Sequence, residues 1–94
     1  LLFSIAAFFL FQAITFAQTN AVVMTYNIRL NVKSDGENWW ENRKDKVAAL
    51  MNYYEADFIG AQEVQQEQLE YLLNTLPHYS SVGVGRDDGK TAGE

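Results

Sequence analysis

Apolar positions fall in two short runs and two spaced stripes, and the alternation of these patterns predicts the elements of the chain. Ala21 to Tyr26 is a continuous run rich in β-formers, the pattern of a strand buried on both faces. Asn31 to Asn38 is polar, contains Ser34-Asp35-Gly36, and reads as a loop. Trp40, Val47, Leu50, Met51 and Tyr54 recur at helical spacing, which predicts an amphipathic helix over residues 40–54. Asp57 to Gln62 forms the second strand pattern, and Leu69, Leu72, Leu73 and Leu76 form the next helical stripe, stopped by Pro77. Tyr79 to Val84 alternates weakly and opens a third strand before a Gly/Asp-rich turn. The order β-α-β-α-β predicts an α/β layered architecture.

The residues before Ala21 follow a different logic. Leu1 to Ala17 carries no charge and five of the six phenylalanines, so it raises the apolar fraction of the whole chain. A membrane-spanning helix needs about 20 apolar residues, and Gln12 interrupts this run. Thr15-Phe16-Ala17 places small residues at the −3 and −1 positions of a cleavage site before Gln18. The segment 1–17 therefore reads as a signal peptide, with an uncleaved anchor as the other reading. The expectation is an exported protein, periplasmic or extracellular, with no stable membrane span after processing. The chain has no cysteine, which excludes a disulfide framework within it.

Charge narrows the partner classes. The net charge is −5, and Lys44 and Lys46 near Arg43 are interleaved with Glu41 and Asp45. Nucleic-acid binders usually present a basic patch, and none is evident here. Two phosphate-binding motifs are also excluded. Gly83-x-Gly85-x-x-x-Gly89 is one residue too long for a dinucleotide fingerprint, and Gly89-Lys90-Thr91 lacks the P-loop's first glycine, Val84 standing there.

The chemistry concentrates at the ends of the two predicted strands. Asn27 closes the first run, and Gln62-Glu63 closes Asp57-Phe58-Ile59-Gly60-Ala61. In open α/β sheets, ligands gather outside the carboxyl ends of the strands. A carboxylate and an amide are hard-oxygen ligands, suited to Mg²⁺ or Mn²⁺. Glu63 and Asn27 are thus candidate metal-site and catalytic residues, and the pair reads as part of a metal-dependent phosphoester-cleaving site. Arg29 either grips phosphate or forms a surface salt bridge, and Arg86 is a candidate contact to substrate phosphate. Asp57 reads as a structural turn residue, Arg43 as a stem packed on the Trp40 indole, and His78 as a solvated loop residue.

Met24-Thr25-Tyr26-Asn27-Ile28-Arg29, then Trp40-Glu41-Asn42-Arg43, then Ala56-Asp57-Phe58-Ile59-Gly60-Ala61-Gln62-Glu63-Val64 resemble the opening motifs of the endonuclease/exonuclease/phosphatase superfamily. Gly83 to Gly89 and Gly93-Glu94 resemble its secreted bacterial branch. The resemblance spans residues 22–94. It implies that residues 18–94 are the N-terminal portion of a longer domain, a four-layer α/β sandwich. It also implies Glu63 as a ligand of Mg²⁺ or Mn²⁺, Asn27 beside it in the active site, and a phosphoester substrate: nucleic acid, phospholipid head group or sugar phosphate. Some members carry an acidic residue where Arg29 stands. The Asp/His pair that the family uses to activate water has no counterpart here, so this portion is expected to be catalytically incomplete. No protein partner is implied. Two other classes remain open: a non-catalytic envelope binding module with the same fold, and a membrane-anchored interaction protein.

Overall fold

The computed structural model describes Ile14 and residues 18–94. The signal-peptide reading of Leu1 to Ala17 falls, apart from Ile14, outside the described residues. Strand β1 (Val23–Asn27) leads through a 3₁₀ segment (Lys33–Asn38) into helix α1 (Trp40–Tyr54). Strand β2 (Phe58–Gln62) and helix α2 (Gln66–Thr75) follow. The two strands pair in parallel, Val23 opposite Phe58 through Asn27 opposite Gln62. Parallel pairing requires a crossover connection, which α1 provides. No helix among the described residues is long and apolar enough to cross a membrane.

Local chemistry explains the joints. The predicted polar loop folds as a 3₁₀ segment broken at Gly36, whose φ of 62° a side chain would resist. Asp57 enters β2 as the expected turn residue. Its carboxylate accepts the Val22 N–H at 2.8 Å, while its own N–H donates to Val22 O at 2.8 Å. Helix α2 starts with a capping box in which Gln65 and Gln68 exchange side-chain and backbone hydrogen bonds, satisfying donors that the first turn leaves free.

The core lies between the two helices and one face of the sheet. Trp40, Val47, Ala48 and Met51 of α1 are buried with Ile28, Leu72 and Leu76, and Met24, Tyr26 and Ile59 pack against them from the sheet. The Trp40 and Tyr71 rings meet edge to face at 5.8 Å, a favoured aromatic geometry. Leu50 and Tyr54, expected on the buried stripe, are exposed.

Two expectations about strands are corrected. The runs are not buried on both faces: Val23 is 69% and Phe58 66% exposed, because the helices cover only the opposite face. Tyr79 to Val84 does not form the third strand of the β-α-β-α-β order, since among the described residues its backbone pairs with no strand. The segment's backbone bonding is local, Tyr79 N–H donating to Leu76 O at 3.0 Å, and Val82 is fully exposed. Weak alternation without a neighbouring strand does not hold an extended ladder.

Candidate active site

Both strands deliver their chemistry at the same end. Asn27 and Gln62 are the last register partners, and the Ile28 N–H extends the ladder by donating to Gln62 O at 3.1 Å. Beyond it, both chains turn through the left-handed region: φ is 64° at Arg29 and 60° at Glu63. Non-glycine residues in this region cost about 1 kcal/mol or more and persist where surroundings hold them. Asn27 Oδ1 accepts the Arg29 N–H at 2.9 Å and stabilises the first turn. Glu63 Oε2 accepts the Leu30 N–H at 3.2 Å, a hydrogen bond between the two turns. Glu63 is half-buried, and its other carboxylate oxygen has no partner among the described residues. Asn27 Nδ2, a two-hydrogen donor, is likewise without a partner there.

The turn after β1 is tied down from three directions. Arg43 of α1 donates from Nη1 to Ile28 O at 3.0 Å and from Nε to Asn38 O at 2.5 Å. Its guanidinium stands 5.9 Å from the Trp40 ring centroid, the packing read from the sequence. Asn31 accepts the Trp39 Nε1–H at 2.6 Å and donates its backbone N–H to Gln65 Oε1 at 2.9 Å. Gln68, with no exposed surface, donates from Nε2 to Arg29 O at 2.8 Å. Gln65, Gln68, Asn31 and Trp39 were not legible as site residues. Only Gln65-x-x-Gln68 ahead of an apolar stripe carried a signal, as a capping box with Gln at the cap.

The two arginines are placed apart. Arg29 adopts the salt-bridge alternative, both Nε and Nη2 meeting Asp35 carboxylate oxygens at 3.0 Å. The hydrogen bond from Arg29 holds the Asp35 carboxyl below its ordinary value. Arg86 pairs with Glu94 at 2.6 Å. It lines, with Glu63, an open groove of about 990 Å³ between the β2–α2 unit and the 80–94 segment. Glu63 and Asn27 are therefore brought to one strand end, Arg86 shares the groove of Glu63, and Arg29 sits in a separate recess with Asp35, Asn38 and Arg43. Among the described residues, no group of three or more His, Cys, Asp or Glu side chains could hold a metal ion.

Neither a family model nor a curated protein matches the chain. Solved structures do. An endonuclease/exonuclease/phosphatase from Bacteroides vulgatus is 45% identical with a TM-score of 0.78, over 81% of this chain and 29% of that one. An endonuclease/exonuclease/phosphatase family protein from Bacteroides thetaiotaomicron is 36% identical with a TM-score of 0.78, over 83% of this chain and 30% of that one. The chain belongs to the endonuclease/exonuclease/phosphatase family. A mannosyl-6-phosphatase from Bacteroides thetaiotaomicron VPI-5482 is also similar, 36% identical with a TM-score of 0.74, over 79% of this chain and 28% of that one. This family is one of phosphoesterases, and the chain spans less than a third of the length of these relatives. Within an endonuclease/exonuclease/phosphatase fold, the two strands and two helices described here form part of the α/β architecture.

Proposed function

We propose that this chain contributes the Glu63–Asn27 end of the active site of an exported, divalent-metal-dependent phosphoester hydrolase. The observation that carries the reading is Glu63 itself. It is a half-buried carboxylate at a strand end, with one oxygen held by the Leu30 N–H and the other unpartnered. A single carboxylate suits Mg²⁺, which is bound through one or two carboxylates and keeps several waters; Mn²⁺ fits the same oxygen donors. Bound there, the ion would neutralise charge developing on the phosphoryl oxygens.

The residues divide the work. Glu63 would hold the metal. Asn27, its oxygen engaged by Arg29, offers its Nδ2 hydrogens to a phosphoryl oxygen and so adds no negative charge to the site. Arg86, on the groove shared with Glu63, would exchange Glu94 for substrate phosphate. A small phosphomonoester, such as a sugar phosphate, is favoured over nucleic acid. The net charge of −5 supports this, as does similarity to a mannosyl-6-phosphatase. Export rests on Leu1 to Ala17, and the mature protein should begin at Gln18 by intact mass.

The deciding experiment measures phosphatase activity against Mg²⁺ concentration in the whole protein containing this chain. Glu63→Gln should lower the saturated rate by roughly 10²-fold, several kcal/mol of lost charge stabilisation, and weaken Mg²⁺ binding. Unchanged activity with unchanged metal dependence would sink the assignment.

A further inference from the structure

Gln68 is the most buried polar side chain described, with 0% of its surface exposed. A buried primary amide must be hydrogen-bonded to be tolerated, and both ends of this one are. Oε1 accepts the Gln65 N–H at 3.0 Å, and Nε2 donates to Arg29 O at 2.8 Å. The first bond is a helix cap. The second bridges thirty-nine positions in sequence and touches the turn beside the site.

What it touches gives it a role. Arg29 O and Leu30 N–H belong to a single peptide unit, which is planar, with its carbonyl and N–H pointing in opposite directions. Gln68 holds the carbonyl end of that plane, and Glu63 Oε2 accepts its N–H at 3.2 Å. The peptide follows a residue at φ 64°, a conformation that the chain would otherwise leave. Rotating the plane to relieve Arg29 would swing the Leu30 N–H away from Glu63. The Gln68 bond opposes that rotation.

We propose that Gln68 is a positioning residue: through the Arg29–Leu30 peptide it sets the orientation of the Glu63 carboxylate that meets the metal. Gln68 touches neither metal nor substrate. The same amide couples the N-terminus of α2 to the end of β1, so Glu63, between β2 and α2, is fixed from both sides. The inference rests on the metal role proposed for Glu63 and deepens it.

The test compares Gln68→Met, Leu72→Ala and Glu63→Gln in the whole protein. Gln68→Met keeps the length and loses both hydrogen bonds. Leu72→Ala weakens the same helix in the core without touching the peptide. In metal-free protein, Gln68→Met should speed hydrogen exchange at the Leu30 amide and shift its proton resonance, while Leu72→Ala leaves that resonance in place. Calorimetry with Mg²⁺ should show affinity about 10-fold weaker in Gln68→Met, the scale seen when a group supporting a metal ligand is removed. The saturated rate should fall with it and KM should change little. Leu72→Ala should retain wild-type affinity and rate per folded molecule. Wild-type Mg²⁺ affinity and an unmoved Leu30 resonance in Gln68→Met would overturn the inference. If Glu63→Gln alone impairs metal binding, the site stands and the positioning role falls. If Glu63→Gln is also silent, the site reading falls first.

Discussion

Asn27 Oδ1 accepts the backbone N–H of Arg29 at 2.9 Å, two residues along the chain. This bond supports a left-handed turn, and by occupying the oxygen it leaves the amide hydrogens of Asn27 for a ligand. Asn27→Ala should therefore lower both stability, by about 0.5–1 kcal/mol, and turnover. Asn27→Asp keeps an acceptor for Arg29, so stability should be retained. Turnover should still fall, because the donor is gone and a second negative charge faces the phosphoryl group. Thermal unfolding and phosphatase assays on both variants separate the two effects.

Arg43 should be structurally specific. Its two hydrogen bonds go to backbone carbonyls of different segments, Ile28 and Asn38. Arg43→Met preserves the packing on Trp40 but strands the partly buried Ile28 carbonyl, and should cost about 1–3 kcal/mol in denaturant unfolding. Arg43→Lys has one ammonium in place of a planar fork and should recover only part of that loss.

Trp40 should be the most expensive core position. It is 1% exposed and packs edge to face on Tyr71. Trp40→Ala removes the indole from between the helices and should destabilise by about 3–5 kcal/mol. Trp40→Phe keeps an aromatic edge and should lose less. Chemical denaturation of the two variants checks the order.

The Arg29–Asp35 pair should respond to acid. Hydrogen bonding from Arg29 lowers the Asp35 carboxyl below its unfolded value. Between those two values the unfolded chain binds more protons than the folded one, so stability rises with pH there. The contribution is fully present above the ordinary carboxylate range and is lost as pH falls through the lowered value. It should be small, because Arg29 is solvent-exposed, with 53% of its side-chain surface accessible. Carbon-13 carboxyl titration should give Asp35 a midpoint below an ordinary aspartate, moved upward in Arg29→Gln. An unmoved midpoint would remove the pair as its cause.

What the chain determined by itself was local. Helix α1 appears over the predicted residues 40–54, because Trp40, Val47 and Met51 define one face whatever covers it. The second strand begins one residue later than expected, at Phe58, and the strand-end places of Asn27 and of Gln62-Glu63 were readable because they close the two apolar runs. Tertiary structure decided everything that depends on a partner distant in sequence. Tyr79 to Val84 has the composition of a strand, but no ladder forms without a neighbour to accept it. Val23 and Phe58 are apolar in sequence and exposed among the described residues, where the helices cover only the other face of the sheet. Arg29 could have gripped phosphate or paired, and the position of Asp35 across the 3₁₀ segment selected the pair. Gln68 looks in sequence like any polar helix residue. Only the parallel pairing of β1 and β2, which brings Arg29 beside the start of α2, makes it the buried link to Glu63: its partner lies thirty-nine positions away, and no pattern of neighbouring residues encodes that distance.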